Sequence, residues 1–325
     1  MLHYFHGYNP RNSFIPAQFV QESHFFLIVR SYMKYQDFLN YIKEQVAVAF
    51  EPDTTIYVES IKKNNGIALE GLIIRRPGSN ISPAIYLNSY YHRYLEGTSL
   101  NQIVQDILFL YHRSIPTENF DVSAFTDFAK VKPQIIFKLI NYERNLALLK
   151  EIPHIRYLDL AIVFQFMLTD VKKNHATVLI HNHHLDYWKV TTEELLSFAH
   201  QNTPRLLPSE FKSLTCLMIQ AIESEEFELP STPPMYILTN KKHIAGASAI
   251  LYKGLLGNIA KEFQQDLVIL PSSIHEVLLL PVDSPENMSF YSQMVRDVNS
   301  AEVSEDEILS NRAYYYSRST GEILF

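Results

Sequence analysis

Serine, histidine and glutamate crowd together at Leu270-Pro271-Ser272-Ser273-Ile274-His275-Glu276-Val277. Those three residue types are the parts of a hydrolytic site: a hydroxyl nucleophile, an imidazole base and a carboxylate that orients it. The spacing argues against a purely local triad. In an extended chain alternate side chains share a face, so Ser273 and His275 point one way and Ser272 and Glu276 the other. Glu276 then cannot orient His275. A hairpin tip would lift that restriction, but no glycine stands nearby to open an oxyanion hole, and the chain contains no Gly-x-Ser-x-Gly. The plainer reading is a turn between two apolar strands, its serines bonded to backbone. Ser272, Ser273, His275 and Glu276 are carried forward as the candidate catalytic set of the alternative, hydrolytic reading.

Other segments invite weaker readings. His181-Asn182-His183-His184 closes an apolar strand. His181 and His183 would share a face, and Asp186 or His243 would complete a metal-binding set. With 13 histidines in the chain close pairs arise by chance, so a polar turn is preferred and no metal is expected. Thr239-Asn240-Lys241-Lys242-His243-Ile244-Ala245-Gly246-Ala247-Ser248 joins a strand to a helix, where free N–H groups can hold an anion. It lacks the glycines of a phosphate loop, and ordinary close packing at a helix start is preferred. Tyr86-Leu87-Asn88-Ser89-Tyr90-Tyr91 and Asn141-Tyr142-Glu143-Arg144-Asn145 are dense in Tyr and Asn, as contact faces are. Tyr90, Asn141, Asn145 and Asn240 are taken as candidate binding residues. No cofactor is expected.

The elements that position these residues come from a chain of 325 residues, 47% hydrophobic and 19% charged, which has the apolar content for a sizeable core. The net charge of −7, with no Lys/Arg run longer than two, argues against a nucleic-acid partner. Cys216 is the single cysteine, so an intrachain disulfide is excluded and a reducing compartment fits. The most apolar stretch, Leu158 to Leu168, holds Asp159 and Gln165 and is too short to span a bilayer. No secretory signal is recognisable, so a cytoplasmic protein without a membrane partner is expected. Residues 1–32 lack periodicity, and translation is expected to begin at Met33, with 1–32 artefactual or loose.

From Tyr35 the pattern predicts a helix (35–50), two strands (54–60, 67–74) and a helix (99–113) that a Ser99–Gln102 box starts. A strand (134–140), a helix (141–150), two strands (157–168, 176–181) and a helix capped by Thr191 and Glu194 follow. Pro208-Ser209 is read as opening a further helix. After the linker Pro230-Ser231-Thr232-Pro233-Pro234 come a strand (235–238), a helix (247–264), two strands (266–270, 276–281), a helix from Asp283 and a closing hairpin. The fold class is therefore α+β, with mixed or antiparallel sheets and helices on one face. Three helix-strand-strand-helix units are expected at 33–130, 131–229 and 230–325.

Several segments carry a resemblance. Tyr86-Leu87-Asn88-x-Tyr90-Tyr91, Leu139 to Asn145, Ile152-Pro153-His154, Leu158-Asp159-Leu160-Ala161, Trp188, Ala199-x-x-Asn202-Thr203, Tyr236 to Asn240, Gly246-Ala247 and Leu270 to Val277 are similar to a bacterial domain family of unknown function from gut anaerobes. The likeness runs from about Met33 to the C-terminus and implies no activity. On the residues alone, a cytosolic protein-binding or regulatory module is the favoured function and a Ser/His hydrolase the alternative.

Overall fold

The computed structural model describes residues 32–80, 82–115, 127–168, 176–214, 216 and 234–325. The expected start at Met33 concerns residues 1–32, and 1–31 lie outside the described residues. The chain divides into two compact units. One comprises Met1–Ile61 and Leu69–Phe120, and the other Lys62–Ala68 and Asp121–Phe325.

In the first unit, helix α1 (Tyr35–Ala47) buries Phe38, Leu39, Ile42 and Val46, the i, i+1, i+4, i+8 stripe that its periodicity predicts. Strands β1 (Thr55–Lys62), β2 (Ala68–Arg75) and β3 (Ala84–Tyr86) form a sheet in that order. Helices α2 (Asn88–Leu95) and α3 (Leu100–Ser114) follow. Ser99 Oγ accepts the Gln102 N–H at 3.2 Å, as the capping signal predicts. One core joins α1, Leu72 and Ile74 of β2, Ile85, Leu87, and Ile103, Ile107 and Tyr111 of α3. The opposite face of β2 packs Ile73 with Ile61, Ala84, Tyr57 and Tyr86. The tyrosines of α2 anchor the start of α1. The Tyr91 hydroxyl donates to the Met33 carbonyl, and the Met33 N–H donates to the Tyr94 hydroxyl, each at 3.0 Å.

The second unit holds two antiparallel sheets. After a short helix α4 (Phe128–Val131), strand β4 (Ile135–Asn141) pairs along β6 (Leu160–Leu168). The other edge of β6 is shared end to end by β5 (His154–Tyr157), opposite residues 160–163, and β7 (Ala176–Leu179), opposite residues 165–168. Where a helix over 141–150 is predicted, the chain makes a 3-10 turn (Glu143–Asn145) and one helical turn, α5 (Leu146–Leu149). Helices α6 (Asn182–Trp188) and α7 (Thr192–Leu206) come next, α7 opened by the predicted Thr191–Glu194 capping box.

Pro208-Ser209 does not open a helix. It begins strand β8 (Ser209–Ser213), which pairs in register with β9 (Tyr236–Asn240). The ladder offered by β9 outweighs the local proline signal, an ordinary tertiary override of propensity. β8 thus reaches from the expected central segment into the sheet of the expected C-terminal one. That sheet is completed by β10 (Asp266–Leu270), β11 (Val277–Val282), β12 (Tyr314–Ser317) and β13 (Glu322–Leu324), in the order β13-β12-β10-β11-β9-β8. The predicted helix over 247–264 is two pieces, a 3-10 turn (Gly246–Leu251) and α8 (Leu255–Phe263). Gly254 between them has φ +75°, which glycine adopts without cost. Helix α9 (Met288–Glu302) starts beyond the predicted Asp283, from Asn287 in the left-handed region. The closing hairpin is β12–β13.

All pairings given for these two sheets are antiparallel, and the fold class is α+β. Among the described residues no helix is long and apolar enough to cross a membrane.

Candidate functional site

The segment after β10 is held from both sides. Along one side it runs against residues 307–310. The Ile274 N–H donates to the Glu307 carbonyl at 2.9 Å, the Leu309 N–H to the Ser272 carbonyl at 2.9 Å and the Ser310 N–H to the Pro271 carbonyl at 3.0 Å. Ser273 stands opposite Ile308 in this short ladder. On the other side the Thr239 hydroxyl donates to the His275 carbonyl at 2.8 Å, and the Ala247 N–H donates to the Ile274 carbonyl at 3.2 Å. Gly246 is pressed so close that an added Cβ would overlap Thr239 Oγ1 and the His275 carbonyl. This explains a glycine at a position whose φ is not the reason for it.

The predicted catalytic residues take different places in this frame. Ser273 Oγ accepts the His275 N–H at 3.1 Å, a serine-to-backbone turn bond of the kind expected of a simple turn. Ser272 is partly buried and contributes its carbonyl to the ladder. His275 Nε2 stands 3.7 Å from Glu307 Oε1, a charge-pair distance rather than a hydrogen bond. Glu276 is partly buried; burial raises its carboxyl above the usual range, and the charge of His243 pulls it back down. The carboxylate beside His275 in this frame thus comes from residue 307, thirty-two residues along the chain.

Around His275 and Glu307 lies a set of charges that the motif reading missed. Burial holds the Lys63 ammonium below the usual lysine range, with Asp306 and Glu307 opposing. Lys138, in the middle of β4, is brought down to about 8, first by burial and then by Lys63, again with Asp306 and Glu307 opposing. The sequence held one signal for it: a lone lysine inside the apolar run Ile135-Ile136-Phe137-Lys138-Leu139-Ile140.

Asparagines lock these loops together. The Asn145 amide donates to Asn65 Oδ1 at 3.0 Å, while the Asn65 N–H donates to Asn145 Oδ1 at 2.9 Å. Asn65 Nδ2 also donates to the carbonyls of Glu305 and Ile308 at 2.8 and 2.7 Å, and Asn64 Nδ2 to that of Asp306 at 2.9 Å. Asn141 donates to the Leu309 carbonyl at 3.0 Å and accepts the Arg144 N–H at 2.9 Å.

Of the candidate binding residues, Asn141 and Asn145 therefore bond inside this network. Asn240 is fully buried and builds its own turn, donating to the Ile244 carbonyl at 2.7 Å and accepting the N–H groups of Lys242 and Ile244 at 3.1 and 3.3 Å. Tyr90 lies in the other unit on α2, with the Arg93 guanidinium 5.5 Å from its ring centre. The histidine segment forms the start of α6. His184 Nδ1 accepts the His181 N–H at 2.9 Å and its ring stacks on Trp188. Burial and the neighbouring His183 and His181 lower His184 to about 4. Among the described residues no group of three or more His, Cys, Asp or Glu is arranged to hold a metal ion.

The first unit carries a different feature. A groove of about 440 Å³ runs between α1, which lends Tyr35, Gln36, Leu39, Asn40 and Lys43, and the sheet, which lends Ile56, Tyr57 and Val58 of β1 and Glu70 of β2. Among the described residues β1 is an edge strand of its sheet.

These features define a two-unit α+β protein with a mixed polar groove in one unit and a partly buried charge cluster in the other. The family described as a family of unknown function, DUF5688, matches residues 35–318, and the chain belongs to it. No curated protein and no solved structure matches the chain.

Proposed function

We propose that this is a cytosolic protein-binding module that receives an extended segment of a partner protein along β1 and α1. The observation that carries this reading is the groove beside an edge strand. An edge strand offers main-chain donors and acceptors to an added strand, while a flanking groove takes alternate side chains. The lining holds Leu39, Ile56 and Val58 for apolar contact. Lys43 and Glu70 supply opposite charges, which suits a segment carrying both an acidic and a basic residue. The test is retention of a stoichiometric protein partner from native lysate at low salt by the full chain and by its Lys43→Glu variant. The reading expects retention by the parent and a loss of about tenfold or more in the variant. Equal retention by both, or none by the parent, overturns it.

One observation favours the hydrolytic alternative: Glu307 beside His275, a carboxylate supplied from elsewhere in the fold. In this reading Ser273 or Ser272 is the nucleophile and His275 the base. A fluorophosphonate probe should then label the chain, and His275→Ala should abolish labelling in a protein that still folds. An unlabelled parent removes this reading.

A further inference from the structure

The groove between α1 and β1 carries opposite charges at its two ends. Tyr35 and Lys43 stand two turns apart on α1, a separation of about 12 Å along the helix axis. Glu70 belongs to the Tyr35 end. The Tyr35 ring lies 4.8 Å from that of Tyr91 on α2, and Asn88, one turn earlier on α2, accepts the Glu70 N–H at 2.9 Å. Lys43 and Glu70 are both partly buried. Among the described residues neither the Lys43 ammonium nor the Glu70 carboxylate has an ion-pair partner. A half-buried charge without a counter-charge favours a ligand that brings one.

The connections on either side of β1 fix its direction along the groove. Residues 48–54 lead from the Lys43 end of α1 into β1. At the far end of β1 the Lys63 N–H donates to the Ile67 carbonyl at 2.7 Å, closing a tight turn that reverses the chain into β2 shortly before Glu70. β1 therefore runs from the Lys43 end toward the Glu70 end. A strand added antiparallel to it, the more stable pairing per residue, enters at Glu70 and leaves at Lys43. At about 3.4 Å per residue such a strand covers the distance between the two charges in about four residues. Side chains at positions i, i+2 and i+4 then share the face turned to the groove.

Resting on the reading of this groove as a receiver of extended segments, we infer that it selects its partner by charge order: basic, any, apolar, any, acidic, from N- to C-terminus. The basic side chain meets Glu70, the apolar one Leu39, Ile56 and Val58, and the acidic one Lys43. The main chain of the segment pairs with the edge of β1. The same residues in the opposite order set like charges against each other at both ends, which rejects them.

The test selects a display library of random short peptides on the full chain. One enriched peptide, and a copy of it with the two charges exchanged, are then titrated by fluorescence anisotropy. The proteins are the parent and a Lys43→Glu, Glu70→Lys double variant. Enriched peptides should carry basic-x-apolar-x-acidic. The parent should bind the original peptide about tenfold or more tighter than the exchanged copy, and the double variant should reverse that preference. Binding of the exchanged copy by the double variant also shows that the variant folds. If enriched peptides lose binding in the double variant but follow no such order, or if the parent binds both copies equally, the charge order is wrong and the groove remains the receiver. If no peptide is enriched, or if the double variant binds every peptide as the parent does, the receiving groove falls and the charge order falls with it.

Discussion

At the scale of single residues, the pairing of side chains matters more than their types. His275 and Glu276 are neighbours in sequence, yet His275 faces Glu307 and Glu276 feels His243. Alternation along an extended chain predicts that separation, and it was legible. The partner was not, because residue 307 reaches His275 only through the ladder at 271–274. Lys138 carries the clearest energetic consequence. A displacement from 10.5 to about 8 disfavours its ammonium. After allowance for residual solvent contact, the cost is about 2 kcal/mol. Between those two values the unfolded chain binds the proton and the folded chain releases it, so stability rises with pH across that window. Below about 8 the cost is fully present. Lys138→Met should therefore stabilise the protein by about 2 kcal/mol at pH 7, the advantage fading toward pH 10.5, as urea unfolding at several pH values would show. An advantage that did not change with pH would refute the assignment.

At the scale of elements, close approach decides what local pattern cannot. The edge of β4 away from β6 is closed by two hydroxyls: Thr203 Oγ1 accepts the Phe137 N–H and Ser248 Oγ the Leu139 N–H, each at 3.1 Å. Buried edge donors need such partners. Ser248 lies in the 3-10 turn that Gly246 allows to sit against Thr239 and His275. Gly246→Ala would push that turn off rigid backbone. A loss of about 3 kcal/mol or more is expected, read as a fall in the urea midpoint. A variant as stable as the parent would mean that the turn moves freely. The helix boundaries at Tyr35, Leu100 and Thr192 follow from periodicity and caps visible in the sequence. The break at Gly254 and the strand at Ser209 do not. One depends on a left-handed residue, the other on a partner strand more than twenty residues away.

At the scale of the whole molecule, two units each bury their own apolar clusters. Ile107 is fully buried in the core of the first unit and Val268 in that of the second. Units with separate cores tend to unfold as separate steps. Calorimetry should resolve two transitions. Ile107→Ala should lower one by about 2–4 kcal/mol and Val268→Ala should lower the other by about 1–3 kcal/mol. A single transition displaced by both substitutions would show one cooperative block.

The amino-acid order alone determined the α+β class, the first helix and strands, the capping boxes, the closing hairpin and the membership in a family of unknown function. These rest on periodicity and on interactions a few residues long, which are written locally. Tertiary structure alone decided that β8 joins the sheet of β9, that asparagines 64, 65, 141 and 145 staple distant loops, and that Lys63, Lys138, Asp306, Glu307 and His275 share one charged neighbourhood. Those features depend on which segments a packed core brings together. Electrostatic and hydrogen-bonding partners chosen across separations from 32 to 242 residues leave no periodic trace in the chain.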